Sequence, residues 1–113
     1  MIQPTNKWDL GRVIRDTLRV AGEKNAVIVN MGDGYIVQRG AQVIDVLRED
    51  RLVTFTIGYE NRQAAQKVMH DLTSNIPFRY NGTTIVFSAY GSQDARERLK
   101  VFLAVDKPKE CYN

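Results

Sequence analysis

Phe78-Arg79-Tyr80-Asn81-Gly82-Thr83-Thr84-Ile85-Val86-Phe87 is the stretch that decides the fold. Asn-Gly between two runs of aromatic and β-branched residues is the preferred two-residue hairpin loop, because a type I′ turn needs positive φ at both central positions. Counting outward from that turn pairs Tyr80 with Thr83, Phe78 with Ile85 and Ile76 with Phe87 on one face. Arg79, Thr84, Val86 and Ser88 fall on the other. The first set is the expected core face, since strand side chains alternate with a period of two.

Upstream of the hairpin, Asn61 to Ser74 returns to helical spacing, with Ala65, Val68, Met69 and Leu72 on one face and Asn75 and Pro77 ending the run. Before it lie two more pairs of extended segments. Ala26 to Met31 and Tyr35 to Val37 flank Gly32-Asp33-Gly34, while Gln42 to Leu47 and Leu52 to Ile57 flank the charged turn Arg48-Glu49-Asp50-Arg51. In the last of these Val53, Phe55 and Ile57 alternate with Thr54 and Thr56, so one side is buried and the other polar.

Two helices close the ends. Leu10, Val13, Ile14, Thr17, Leu18 and Ala21 follow the spacing of one buried stripe, with Asn6 as the expected cap, Asp9 at the positive end of the dipole and Gly22 as the stop. After Gly91, Ser92 is the expected cap of a helix that buries Ala95, Leu99, Phe102 and Leu103, with Asp94 and Arg98 paired four residues apart. The order is α-β-β-β-β-α-β-β-α. Its short turns favour antiparallel pairing, which predicts an α+β domain: a mostly antiparallel sheet of five or six strands with helices packed on one face. Residues 1–105 form that single domain, and 106–113, without periodicity, are expected to be a flexible tail.

Composition bounds the function. A chain of 113 residues with 43% hydrophobic and 26% charged residues fits one soluble globular domain. It has no apolar run near the ~20 residues that span a bilayer and no basic-then-apolar leader after Met1, so a cytoplasmic, membrane-free protein is expected. A single cysteine, Cys111, and a single histidine, His70, provide no disulfide and no set of soft metal ligands. No cofactor is expected either. Gly32-Asp33-Gly34 lacks the third glycine and the following helix of a dinucleotide fingerprint, and no phosphate-cradling loop ends in Lys followed by Ser or Thr. The net charge of +3 is spread evenly along the chain, so a nucleic-acid site has to be assembled in three dimensions or by oligomerisation.

The sharpest candidate site is on the first helix. Trp8, Arg12, Arg15 and Arg19 fall within about 60° of each other on a helical wheel, opposite the buried stripe. An aromatic beside guanidinium groups stacks bases and holds phosphates, or anchors a protein interface. The competing reading folds Trp8 over an adjacent loop and pairs the arginines with Asp16 and Glu23. Arg79, with nearby tyrosines, extends the nucleic-acid reading. Asp45, inside the apolar strand Val43-Ile44-Asp45-Val46-Leu47, is either an inward carboxyl of raised pKa or a residue on the wet side of a half-buried strand. His70, near a helix C-terminus, suits the dipole there, and a catalytic role for it needs a partner such as Ser74 or Cys111.

These residues predict a binding protein rather than an enzyme: an adaptor, regulator or inhibitor that engages a protein partner, and a homo-oligomer. The alternative is a single-stranded nucleic-acid binder using Arg12, Arg15, Arg19 and Arg79. A weaker one is a small-ligand binder or small enzyme around Asp45, His70 and the tyrosines.

Overall fold

The computed structural model describes residues 8–106, which form one domain with the expected element order. The helices are α1 (Leu10–Val20), α2 (Arg62–Leu72) and α3 (Gly91–Val105). The strands are β1 (Val27–Asn30), β2 (Gly34–Arg39), β3 (Gln42–Glu49), β4 (Leu52–Gly58), β5 (Arg79–Asn81) and β6 (Thr84–Tyr90). All six form one antiparallel sheet in the order β1-β2-β3-β4-β6-β5. The first four make a meander, and α2 carries the chain across so that β6 pairs with β4 and β5 takes the far edge.

Alternation along the strands sends Val37, Ile44, Val46, Val53, Phe55, Ile57, Ile85, Phe87 and Ala89 to one face, where the three helices cover them. The α1 stripe Leu10, Val13, Ile14, Thr17 and Leu18 is buried as its spacing predicts, and Ala21 is half-buried. From α3 come Ala95, Leu99, Phe102 and Leu103, and from α2 Ala65, Val68 and Leu72. Phe55 stacks on Phe87 with ring centroids 4.7 Å apart, and Phe87 meets Phe102 at 5.6 Å, so aromatic rings fill the centre. Helix α1 crosses β2 where Gly11 faces Tyr35. A Cβ on Gly11 would stand 2.7 Å from the tyrosine hydroxyl, so any larger residue there has to displace the Tyr35 ring.

Several local expectations change. Asp9, not Asn6, caps α1 by accepting from the Arg12 N–H at 3.3 Å, and Asn6 lies outside the described residues. Tyr90 rather than Ser92 occupies the N-cap of α3, where the Asp94 carboxylate accepts from its N–H at 2.9 Å, an acid at the positive helix end. The Asp94–Arg98 pair forms at 3.4 Å. Asn61 caps α2 through its side chain to the Ala64 N–H.

The β5–β6 hairpin pairs Tyr80 with Ile85 and Asn81 with Thr84, two residues away from the register counted from Asn81-Gly82. A shift of two preserves the period of the pleat, so the faces stay as predicted: Ile76, Ile85 and Phe87 are buried, and Arg79 and Val86 point outward. β6 lies inside the sheet, between β4 and β5.

Of the expected tail, only Asp106 is among the described residues. Its N–H donates to the Phe102 carbonyl, and its side chain joins the polar cluster described below.

Candidate binding surfaces

Trp8 precedes the helix, because α1 begins at Leu10 after the Asp9 cap, and so the wheel that aligned it with Arg12, Arg15 and Arg19 does not apply to it. Instead the half-buried indole packs against the core, and the Arg48 guanidinium lies 4.1 Å from its ring centroid. Arg48 also donates to the Trp8 carbonyl at 2.7 Å and to the Asp50 carbonyl at 2.8 Å, tying the chain before α1 to the β3–β4 turn. The buried indole N–H has no hydrogen-bond partner among the described residues. This is the loop-packing reading of Trp8.

Arg12, Arg15 and Arg19 remain on the solvent side of α1, and Arg19 is bridged to Asp16 at 3.2 Å. Arg79 does not join them. It sits on β5, at the opposite edge of the sheet and on the face away from the helices, five strand spacings or about 24 Å from β1.

What does converge is a groove of about 560 Å³ between α1 and the free edge of β1. Leu18, Ala26 and Ile28 line it with aliphatic surface, and Arg15, Arg19, Lys24 and Glu23 surround them. Glu23 is not available to neutralise the cations. Its carboxylate accepts two bonds from Arg39, at 2.8 and 3.2 Å.

That pair belongs to a polar cluster that no sequence pattern announced. Arg39 is 4% exposed at the inward end of β2, where it follows Tyr35 and Val37 in the alternation. Besides Glu23 it donates to the Gln42 side chain and to the Asp106 carbonyl, both at 2.7 Å, and it lies 5.9 Å from the centre of the Phe102 ring. The Asp106 carboxylate in turn accepts from Gln42 at 2.7 Å and from the Tyr59 hydroxyl at 2.8 Å. Burial and the neighbouring Asp106 push the Tyr59 phenol above its ordinary range, so it is a fixed hydrogen-bond donor. Four segments distant in sequence are clasped here. The available signal was a charge at an inward strand position, which requires a buried partner.

The second surface is the sheet face turned away from the helices. On β1, β2 and β3 it carries Val27, Val29, Ile36, Val43 and Leu47, with Val27, Val29, Val43 and Leu47 40–56% exposed. Across β4 and β6 it becomes mostly polar, with Thr54, Thr56, Thr84 and Ser88 around Val86. Asp45 stands on this same face, half-buried between Ile36 and Thr56, which is the wet-side reading of that residue. His70 is exposed near the end of α2, with the Asp71 carboxylate 3.6 Å away.

Among the described residues no group of His, Cys, Asp and Glu is placed to hold a metal ion, and no helix is long and apolar enough to cross a membrane. No family model, curated protein or solved structure matches the chain.

Proposed function

We propose that this chain is a binding protein of the adaptor, regulator or inhibitor kind that acts as a homo-oligomer, two copies pairing across the uncovered face of the sheet. The observation that carries the reading is the apolar set Val27, Val29, Ile36, Val43 and Leu47, grouped around Gln38 and Asp45 over three neighbouring strands, with no helix of the described residues above it. Isolated exposed hydrophobics are ordinary, whereas several grouped on one face beside polar residues mark an interaction surface. A two-fold pairing of identical faces matches such a patch to itself. The axis that keeps the two Asp45 carboxylates apart runs along the strands over β2 or β1, one or two strand spacings from β3, which separates them by about 10–20 Å.

Light scattering at high micromolar concentration is expected to give a dimer, and Leu47→Lys, which places a charge in the patch, is expected to give a monomer with an unchanged fold. A wild-type monomer at that concentration overturns the reading.

A further inference from the structure

The uncovered face is not the only open surface, because β1 is also an edge. The Met31 N–H donates to the Gly34 carbonyl at 2.8 Å, which makes Met31 and Gly34 a hydrogen-bonded pair of the β1–β2 ladder. Antiparallel ladders alternate, so Val29–Ile36 and Val27–Gln38 are the next bonded pairs. The N–H and C=O groups of Ile28 and Asn30 therefore point away from β2, along an edge that no other described segment pairs with. Natural edges are usually blunted by proline, by charge or by being very short. The other edge, β5, is three residues long and bears Arg79. β1 reads Val-Ile-Val-Asn and has neither proline nor charge.

Directly beside this edge, on the helix side, lies the groove floored by Leu18, Ala26 and Ile28 and surrounded by Arg15, Arg19 and Lys24. Among the described residues Arg15 and Lys24 have no ion-pair partner, and the one carboxylate in the groove is held by Arg39. We infer that β1 accepts an extended segment of a protein partner as a seventh strand, with acidic and aliphatic side chains at alternate inward positions filling this groove. In strand addition the main chain provides the hydrogen bonds, here with Ile28 and Asn30, and alternate side chains provide the selectivity.

Charge decides between occupants. A second copy pairing edge to edge brings two sets of Arg15, Arg19 and Lys24 together, which is repulsive, whereas glutamates or aspartates complement them. A single-stranded nucleic acid meets aliphatic side chains and no aromatic among the groove residues, so its bases have nothing to stack on. This surface is distinct from the one proposed for self-association, and each stands or falls alone.

The probe is a fluorescein-labelled, proline-free peptide in which threonine alternates with glutamate and leucine, titrated by fluorescence anisotropy against the full chain. Binding is expected with a Kd below about 1 mM, weakened roughly tenfold or more by Arg15→Glu combined with Arg19→Glu. N-methylation of one alternate set of peptide amides is expected to abolish binding while methylation of the other set leaves it, and bound peptide is expected to slow exchange of the Ile28 and Asn30 amides. The inference is overturned by any of four results: no binding at about 1 mM peptide, equal binding of both methylated peptides, preferential binding of an oligothymidylate, or slowed exchange at Ile28 and Asn30 in the protein alone at high concentration. That last result identifies a second copy as the occupant.

Discussion

Along β3 the residues Val43, Ile44, Asp45, Val46 and Leu47 alternate between two environments. Ile44 and Val46 are 1% exposed beneath the helices, while Val43 and Leu47 are 40% and 48% exposed on the other side. The two faces of this strand carry similar aliphatic side chains. What separates them is the helix layer that α1, α2 and α3 place over one of them. Composition alone therefore does not identify a core, and an aliphatic face left without a layer is a candidate interface.

The strongest way to test that contrast is to remove a large side chain from each face. Phe55 is buried between Phe87 and the helices, and Phe55→Ala is expected to cost about 3–5 kcal/mol, read as a lower denaturant midpoint with unchanged slope. Glu23→Ala tests the rim of the covered face. It leaves the Arg39 guanidinium buried without its bidentate carboxylate, and a loss of about 3 kcal/mol is expected from breaking such a pair. If Glu23→Ala is neutral, the clasp around Arg39 contributes geometry rather than stability.

Trp8 lies between the two extremes. Half-buried and stacked under Arg48, it is expected to cost about 2 kcal/mol as Trp8→Ala, between the ~0.5 kcal/mol of a surface site and the ~3–5 kcal/mol of a core aromatic. The wild-type emission is expected to be blue-shifted, and a fully exposed spectrum would return Trp8 to the surface.

A smaller effect depends on pH. The Tyr59 phenol is raised by burial and by Asp106, so the unfolded chain releases this proton first, near pH 10. The folded state is thus favoured below that pH, and this contribution is lost as pH rises above it. Unfolding curves of wild type and Tyr59→Phe are expected to converge as the pH passes 10, since the phenylalanine has no proton to lose.

The smallest effect belongs to the uncovered face. Leu47→Ser in the dilute monomer is expected to change stability by no more than about 0.5 kcal/mol. A loss as large as that of Phe55→Ala breaks the comparison, because it means that Leu47 is covered in solution. If the loss also grows with protein concentration, the cover is a second copy.

Much of the fold was legible in the sequence because short-range periodicity carries it. The α1 stripe, the alternation of β4, the hairpin at residues 78–87 and the stop at Gly22, with φ +81°, each rest on neighbours within a few residues. Element order followed from these, and with it an antiparallel sheet and a one-sided helix layer. Even the hairpin faces survived a register displaced by two, since the pleat repeats every two residues.

The sites were another matter. The helical wheel placed Trp8 by assuming that the helix began before it, and the Asp9 cap removes that assumption. Local pattern put Arg12, Arg15 and Arg19 on a helix and Arg79 on a strand, but only the strand order and the helix layer place α1 and β5 on different faces and at different edges. The clasp of Glu23, Arg39, Tyr59 and Asp106 joins residues up to 83 positions apart in sequence. No local pattern records such a contact, because the burial that obliges Arg39 to find a carboxylate exists only once the sheet and helices have packed. Local periodicity determined the elements and their faces. Tertiary structure decided which charges meet, which edge stays open and which aliphatic face remains uncovered, because these depend on strand order and on the position of the helix layer.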